Sequence, residues 1–358
     1  MIDASRSVSR QEGALRKSPH RLASLLAALS LALPALVIGF GARYGGAAGK
    51  GQQDLPPYHS PFPISAPVLF GNSFISTGDF ESNSVFMPGG RTLYYVKSTP
   101  DFRFRTIVQT QFVDGGWTIP RIASFSGKFS DSDPFIRPDG SRLYFASNRP
   151  AQDYIGAEPR DNTDIWVVER IGDTTWSEPK GPGGAVNTPS NEWFPTLASD
   201  GTIYFGSERS GGKGKCDLWR CRLVNGAYRA AENLGDSVNT ANDELQPLIA
   251  PDQSWFIFTA GGRADSHGGT DLYISYARGY GWSRPRNLGA PINSVANEYS
   301  PSMSPDGEYF FWTSCRSFAD TTVAEALEYP QLLVNLRRPM NGLGDLYQID
   351  RAALGIGR

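Results

Sequence analysis

Of 358 residues, 39 are Gly, 26 Pro, 20 Phe, 15 Tyr and 8 Trp, while charged residues make up only 20%. Turn formers and aromatics in that proportion suit many short strands joined by tight turns and disfavour a helical protein. A formal net charge of -2 lacks the basic surplus of a nucleic-acid binder, and three His with three Cys leave little material for a His-rich metal site or a disulfide scaffold.

In chain order, Arg16, Lys17, His20 and Arg21 precede an apolar run from Leu22 to Ile38, and small residues follow, among them Gly39, Gly41, Gly46, Ala47 and Ala48. A basic flank, an apolar stretch and a small-residue exit make a secretory signal, with cleavage after Ala48 or Gly41. The run is also close to the ~17–25 residues that span a bilayer, so an uncleaved anchor with its basic end in the cytoplasm is the alternative. Pro34 interrupts the helix and leans towards the signal peptide. No Cys follows the run, so lipidation is not indicated. The reading is a signal peptide or membrane anchor over 1–48, a flexible Gly/Pro-rich linker over 49–63 and a folded domain over 64–358. That domain is expected in the periplasm or outside the cell. Cys216 and Cys221 flank a short strand five residues apart, about 16 Å along an extended chain, beyond the ~7 Å limit between Cα atoms for a disulfide. Reduced thiols are expected there and at Cys315.

The folded part is one unit repeated. Asp139-Gly140, Asp200-Gly201 and Asp306-Gly307 serve as anchors, with Asp252-Gln253 in the same place in a fourth unit and Gly89-Gly90 in a first. Eight residues before each anchor stands an acid: Glu81, Asp131, Glu192, Glu244 and Glu298. Five before it stands Pro134, Pro195, Pro247 or Pro301, with Ser84 in the first unit. An alternating aromatic strand follows each anchor, as in Leu143-Tyr144-Phe145 and Tyr309-Phe310-Phe311-Trp312. Next comes a polar turn carrying Arg149, Arg209, Arg263 or Arg316, and then Asp-hydrophobic-aromatic at Asp164, Asp217, Asp271 and Asp345. A segment led by Trp117, Trp176, Tyr228 or Trp282 completes the unit. Four strands in about fifty residues is the size of a propeller blade.

The last unit stops after its third strand, at Gln348-Ile349-Asp350, while Pro67-Val68-Leu69-Phe70-Gly71 near the start matches Pro285-Arg286-Asn287-Leu288-Gly289. The chain start is therefore expected to complete the last blade, which hides edge strands that would otherwise pair or aggregate. This predicts an all-β fold, a five-bladed β-propeller closed by an N-terminal strand, with six blades as the alternative.

The pattern Glu-x-x-Pro, Asp-Gly, Tyr-Phe-x-Ser-x-Arg, Gly-x-x-Asp-Leu-Tyr and Trp-Ser-x-Pro-x-Asn-Leu-Gly resembles the WD-repeat-like repeats of TolB-like propellers, from roughly Pro67 to Asp350. The resemblance implies a bacterial envelope protein of a kind often engaged in protein–protein contacts or attached to peptidoglycan-binding domains. The prototype of that class carries six blades and an extra N-terminal domain, neither of which is visible here. The first unit departs most, lacking Asp-Gly, the Arg turn and Asp-Leu-Tyr.

By this connectivity the acids and the Arg turns emerge on one face, around the channel mouth. A ring of bare carboxylates would repel itself, and pairing each acid with an Arg removes the problem. Glu81, Asp131, Glu192, Glu244 and Glu298 with Arg149, Arg209, Arg263, Arg316 and Lys97 are thus either blade-holding ion pairs or a ligand or cation site. Trp193 and Tyr299, each directly after a ring acid, are the aromatics best placed to face a ligand. The one asymmetric feature is the long loop Arg316–Gly344 of the last unit, where Thr322-Val323-Ala324-Glu325 reads as a capping box opening a short helix that ends near Pro330. Blade two carries a smaller insert, Ala151–Asn162. The expectation is a non-catalytic, monomeric binding or scaffold module without cofactor, meeting an envelope protein or a glycan on this face. The alternative is a funnel-centred glycan hydrolase or lyase using ring carboxylates.

Overall fold

A computed structural model describes residues 55–150, 158–279, 281–320 and 326–356. The export segment and the first part of the linker lie outside these residues. Among the described residues no helix is long and apolar enough to cross a membrane.

The chain is a five-bladed β-propeller. Its innermost strands are Phe80–Phe86, Asp131–Ile136, Glu192–Leu197, Glu244–Ile249 and Glu298–Met303. Each contacts the next, and the fifth contacts the first, so the ring closes without a sixth blade. Within a blade, antiparallel strands run outwards, as in Glu192–Leu197, Ile203–Ser207, Asp217–Cys221 and Glu232–Asn233. The outermost strands are short: Arg121–Ile122, Arg286–Asn287 and, in blade two, isolated bridges at Lys180 and Trp176. The Trp-led segments sit mainly in the turn before the outermost strand, where Ala277 pairs Trp282. Blade one forms its third strand, Arg105–Val113, without Asp-Leu-Tyr.

The second strand of each blade is covered on both faces by neighbouring blades, so its alternation gives way to continuous burial. Leu93–Val96, Trp255–Ala260 and Tyr309–Ser314 are all buried. Aromatics fill the wedges between blades, and Trp176 donates its Nε1–H to Tyr94 of blade one at 3.0 Å. The turn after the innermost strand demands a left-handed residue. Gly140 (φ 68°) supplies it with no steric cost, and Gln253 adopts the same conformation (φ 61°) in blade four.

Blade five is finished by Val68–Leu69, paired with Gln348 and Tyr347, as the repeat matching requires. The closure extends further upstream than expected. Residues 55–63, read from composition as linker, pack on the propeller: Tyr58 is 2% exposed and meets Phe86, Tyr309 and Phe311 edge-on. His59 Nε2 lies 2.8 Å from Asp306, and Ile64 exchanges hydrogen bonds with Asp350. One buried aromatic and two backbone anchors outweigh the Gly/Pro bias that suggested an unfixed chain.

Candidate functional site

The five ring acids each occupy the start of an innermost strand, and each is fully buried at 0% exposure. They do not form an open ring for a ligand. Four are paired with the predicted arginines: Asp131 with Arg149 at 2.7 Å, Glu192 with Arg209 at 3.1 Å, Glu244 with Arg263 at 2.8 Å and Glu298 with Arg316 at 3.8 Å. Lys97 takes the role for Glu81 at 2.9 Å. The second carboxylate oxygen accepts the backbone N–H of the residue four positions earlier, from Thr77, Thr188, Thr240 or Ser294, at 2.8–2.9 Å. The same residues add a hydroxyl at 2.6–2.7 Å. In blade two Ser126 supplies the hydroxyl at 2.7 Å. The Arg guanidiniums also donate to Phe125, Val186, Val238 and Ile292 carbonyls. They lie over aromatic rings of the second and third strands, such as Phe205 and Trp219 for Arg209. Burial pushes the Glu81 and Glu244 carboxyls up, against the pull of Thr77 with Lys97 and of Thr240 with Arg263.

One step upstream, Asn187, Asn239 and Asn293 bracket the third strand of the preceding blade, each accepting from and donating to one residue: Ile165, Leu218 and Leu272. Ser76 does the same at Leu346. Four of the five blade junctions are therefore double clasps, in which an amide, or the Ser76 hydroxyl, fixes the previous blade and the acid the next. The sequence reading missed these residues, although their signal, Asn-Thr or Asn-Ser four residues before a Glu, is plain once the clasp is seen.

Trp193 and Tyr299 are half-buried. The Tyr299 hydroxyl lies beside Cys315, and burial raises it well above the ordinary phenol range. Burial likewise lifts the thiols of Cys221 and Cys315 to about 11, so neither is an activated nucleophile. The third-strand acids differ between blades. Asp217 accepts from the N–H groups of Lys213 and Gly214 and from Asn233, and Asp271 from His267, Gly268 and Asn287. Asp164 pairs with Arg160, and burial holds its carboxyl at about 6. Among the described residues Asp345 accepts from the Met340 N–H alone, because Leu69 stands where blades three and four place Asn233 and Asn287. Its Oδ1 is buried without a partner, and desolvation raises the carboxyl to about 7.

Below the acids every innermost strand carries a bulge, and the residue two after each acid is left-handed: Asn83, Asp133, Phe194, Gln246 and Ser300, all with φ of 52–57°. These residues narrow the channel to a space of roughly 60 Å³. Their side chains join adjacent blades: Asn83 donates to Asp133 at 2.9 Å, and Gln246 donates to Ser300 Oγ while accepting the Ser300 N–H. The Phe194 N–H donates to Asp133, whose buried carboxyl sits at about 6. Beyond this constriction the channel widens, on the face opposite the acids, into a cup of roughly 530 Å³. Among the described residues no group of three or more His, Cys, Asp and Glu is arranged to hold a metal ion.

In the long loop of blade five, Thr322–Glu325 lie outside the described residues. The helix runs from Tyr329 to Leu336, so Pro330 opens it instead of ending it. Proline fits a first turn, where its missing N–H has no partner to lose, and the capping box is formed by Glu328 and Gln331. No residue of this helix is buried; Tyr329, Val334 and Leu336 are half or more exposed. The loop returns across blade one, where Asn341 donates to the Gly78 carbonyl.

Fold and channel together define a five-bladed β-propeller whose junctions are clasped by buried acids. No protein-family model matches the chain, and no curated protein matches it in sequence. Solved structures are similar to the chain at low identity. An α-L-arabinofuranosidase from Lactobacillus brevis is 13% identical over 77% of this chain and 92% of its own, with a TM-score of 0.43. An α-L-arabinofuranosidase from Fusarium graminearum in complex with an iminosugar inhibitor is 10% identical over 82% and 100%, with a TM-score of 0.43. An exo-β-1,3-galactanase from Clostridium thermocellum is 12% identical over 79% and 62%, with a TM-score of 0.45.

Proposed function

We propose that the chain is an exported, non-catalytic propeller of the bacterial envelope, related in its repeats to TolB-like proteins, that binds a protein or glycan partner. The carrying observation is that all five ring carboxylates are at 0% exposure and each is held by a cation. Glycosidic chemistry needs one carboxyl poised to give a proton and a second open to the sugar or to water; these acids offer neither. On the same face the blade-five loop presents Tyr329, Val334 and Leu336 beside the exposed Arg337 and Arg338, a mixture of aromatic, aliphatic and Arg groups suited to a partner contact.

The test is a combined array and hydrolysis screen of the full-length chain against envelope glycans, with affinity capture of envelope proteins. Binding without turnover is expected, weakened by Tyr329→Ala together with Arg338→Ala. Glycan turnover that disappears in Glu192→Gln or Glu244→Gln, while the variants keep the parent melting temperature, would overturn the reading in favour of a hydrolase or lyase.

A further inference from the structure

The cup at the far end of the channel is independent of the partner face and is used by nothing described so far. It lies where the innermost strands turn into the second strands. Phe135, Leu248 and Met303 form its wall, with Trp255 at its side. Leu248 and Phe135 also line the constriction, so the cup is the wide end of the channel and is closed above by the five bulges. Prolines 88, 138, 251 and 305 line it. Having no N–H, they give a ligand there fewer backbone donors to satisfy. Its roughly 530 Å³ falls in the range of small-molecule sites, about 300–1,000 Å³, and its apolar wall with few polar groups has their usual composition.

The charges in the lining select among apolar ligands. Asp306 is already taken: Ser304 Oγ donates to it at 2.5 Å, and His59 of the N-terminal arm lies 2.8 Å away. Arg137 and Arg351 also border the cup. Among the described residues the Arg137 side chain makes one long contact, 3.4 Å to Asp139, and is 29% exposed. A fork of donors above an apolar wall fits a planar carboxylate on an aliphatic tail.

We propose that the cup is a binding site for an amphipathic carboxylate, a fatty acid of medium length, with its tail among Phe135, Leu248 and Met303 and its head on Arg137. Closure of the constriction by the bulged strands makes the site a blind pocket, which limits tail length and admits ligand from one face. A protein partner inserting an apolar side chain would use the same wall but would not require the head-group contact.

The test titrates the full-length chain with decanoate below its micellar range and reads the heat of binding by isothermal titration calorimetry, using decanol and decylammonium as controls. Saturable binding of decanoate is expected, about tenfold tighter than either control, the size of one charge-assisted contact. Arg137→Glu should weaken decanoate at least tenfold and leave decanol unchanged, and Leu248→Trp should abolish both by filling the cup. Met303→Trp gives a second filling variant should the first disturb the fold, and melting temperatures check each. No saturable binding overturns the proposal, as do equal affinities for the three ligands or parent affinity in both folded Trp variants. A failure here leaves the opposite face untouched, and a failed partner screen leaves the cup untouched.

Discussion

The two ends of the channel use the same five repeats in opposite ways. At one end every blade contributes an acid, a cation and a hydroxyl, and these groups consume one another: Glu192 alone takes Thr188 twice, Ser207 and Arg209. At the other end the repeats contribute Val85, Phe135, Leu248 and prolines, and these side chains surround a space that none of the described residues fills. The lesson is that the most visible repeated chemistry is where the scaffold is held, because every junction needs its buried acid paired with a cation. Binding capacity remains where side chains converge without satisfying each other.

The largest effect that can break this contrast comes from the clasp. Glu192→Ala leaves Arg209 buried without its carboxylate and Thr188 without its acceptor, and should cost about 3–5 kcal/mol in urea unfolding. A loss under about 1 kcal/mol would mean that the acid ring is not structural after all.

A middle-sized effect sharpens the contrast at the one clasp-end acid that is not consumed. Asp345 sits at about 7 in the folded chain, against about 3.9 for an aspartate in an unfolded one. Glu81 of blade one and Tyr299 and Cys315 of blade five face it. The fold holds this proton more tightly than the unfolded chain, so its contribution to stability falls as pH rises from about 4 to about 7 and is flat above that. Asp345→Asn should therefore flatten the stability curve over this window, read as the difference between unfolding midpoints at pH 5 and pH 8. An unchanged slope would place the titration on Asp133 or Asp164, which are raised in the same direction.

The smallest effect is expected at the cup. Leu248→Ala removes a half-buried side chain that borders open space, and should cost about 1 kcal/mol. A loss equal to that of Glu192→Ala would show the cup wall to be as structural as the clasp and would erase the distinction between the two ends.

The repeat matching read Val68–Leu69 correctly as the fourth strand of blade five, because the match to Arg286-Asn287 needs only local pattern. It read residues 55–63 as linker, because what fixes Tyr58 is Phe86, Tyr309 and Phe311, two of them more than 200 positions away. The sequence pattern predicts a helix ending near Pro330, whereas Pro330 lies in the first turn of the helix, since proline breaks a preceding turn and opens a following one equally well. The ring acids were identified residue by residue, yet their exposure could not be read from spacing. The bulge residues Asn83, Asp133, Phe194, Gln246 and Ser300 share a backbone conformation but no residue type, and the mark that repeats is the Pro directly after four of them.

By itself the sequence determined the blade count, the strand order, the acids and arginines and the closing strand. Each of these repeats at short range, and period-two alternation and turn chemistry are local properties. Only the tertiary structure decided that the acids are buried, that Asp345 lacks the amide its counterparts have, and that an apolar cup opens on the opposite face. Those properties depend on which side chains from five separated segments meet around one axis, and meeting is fixed by packing across the ring.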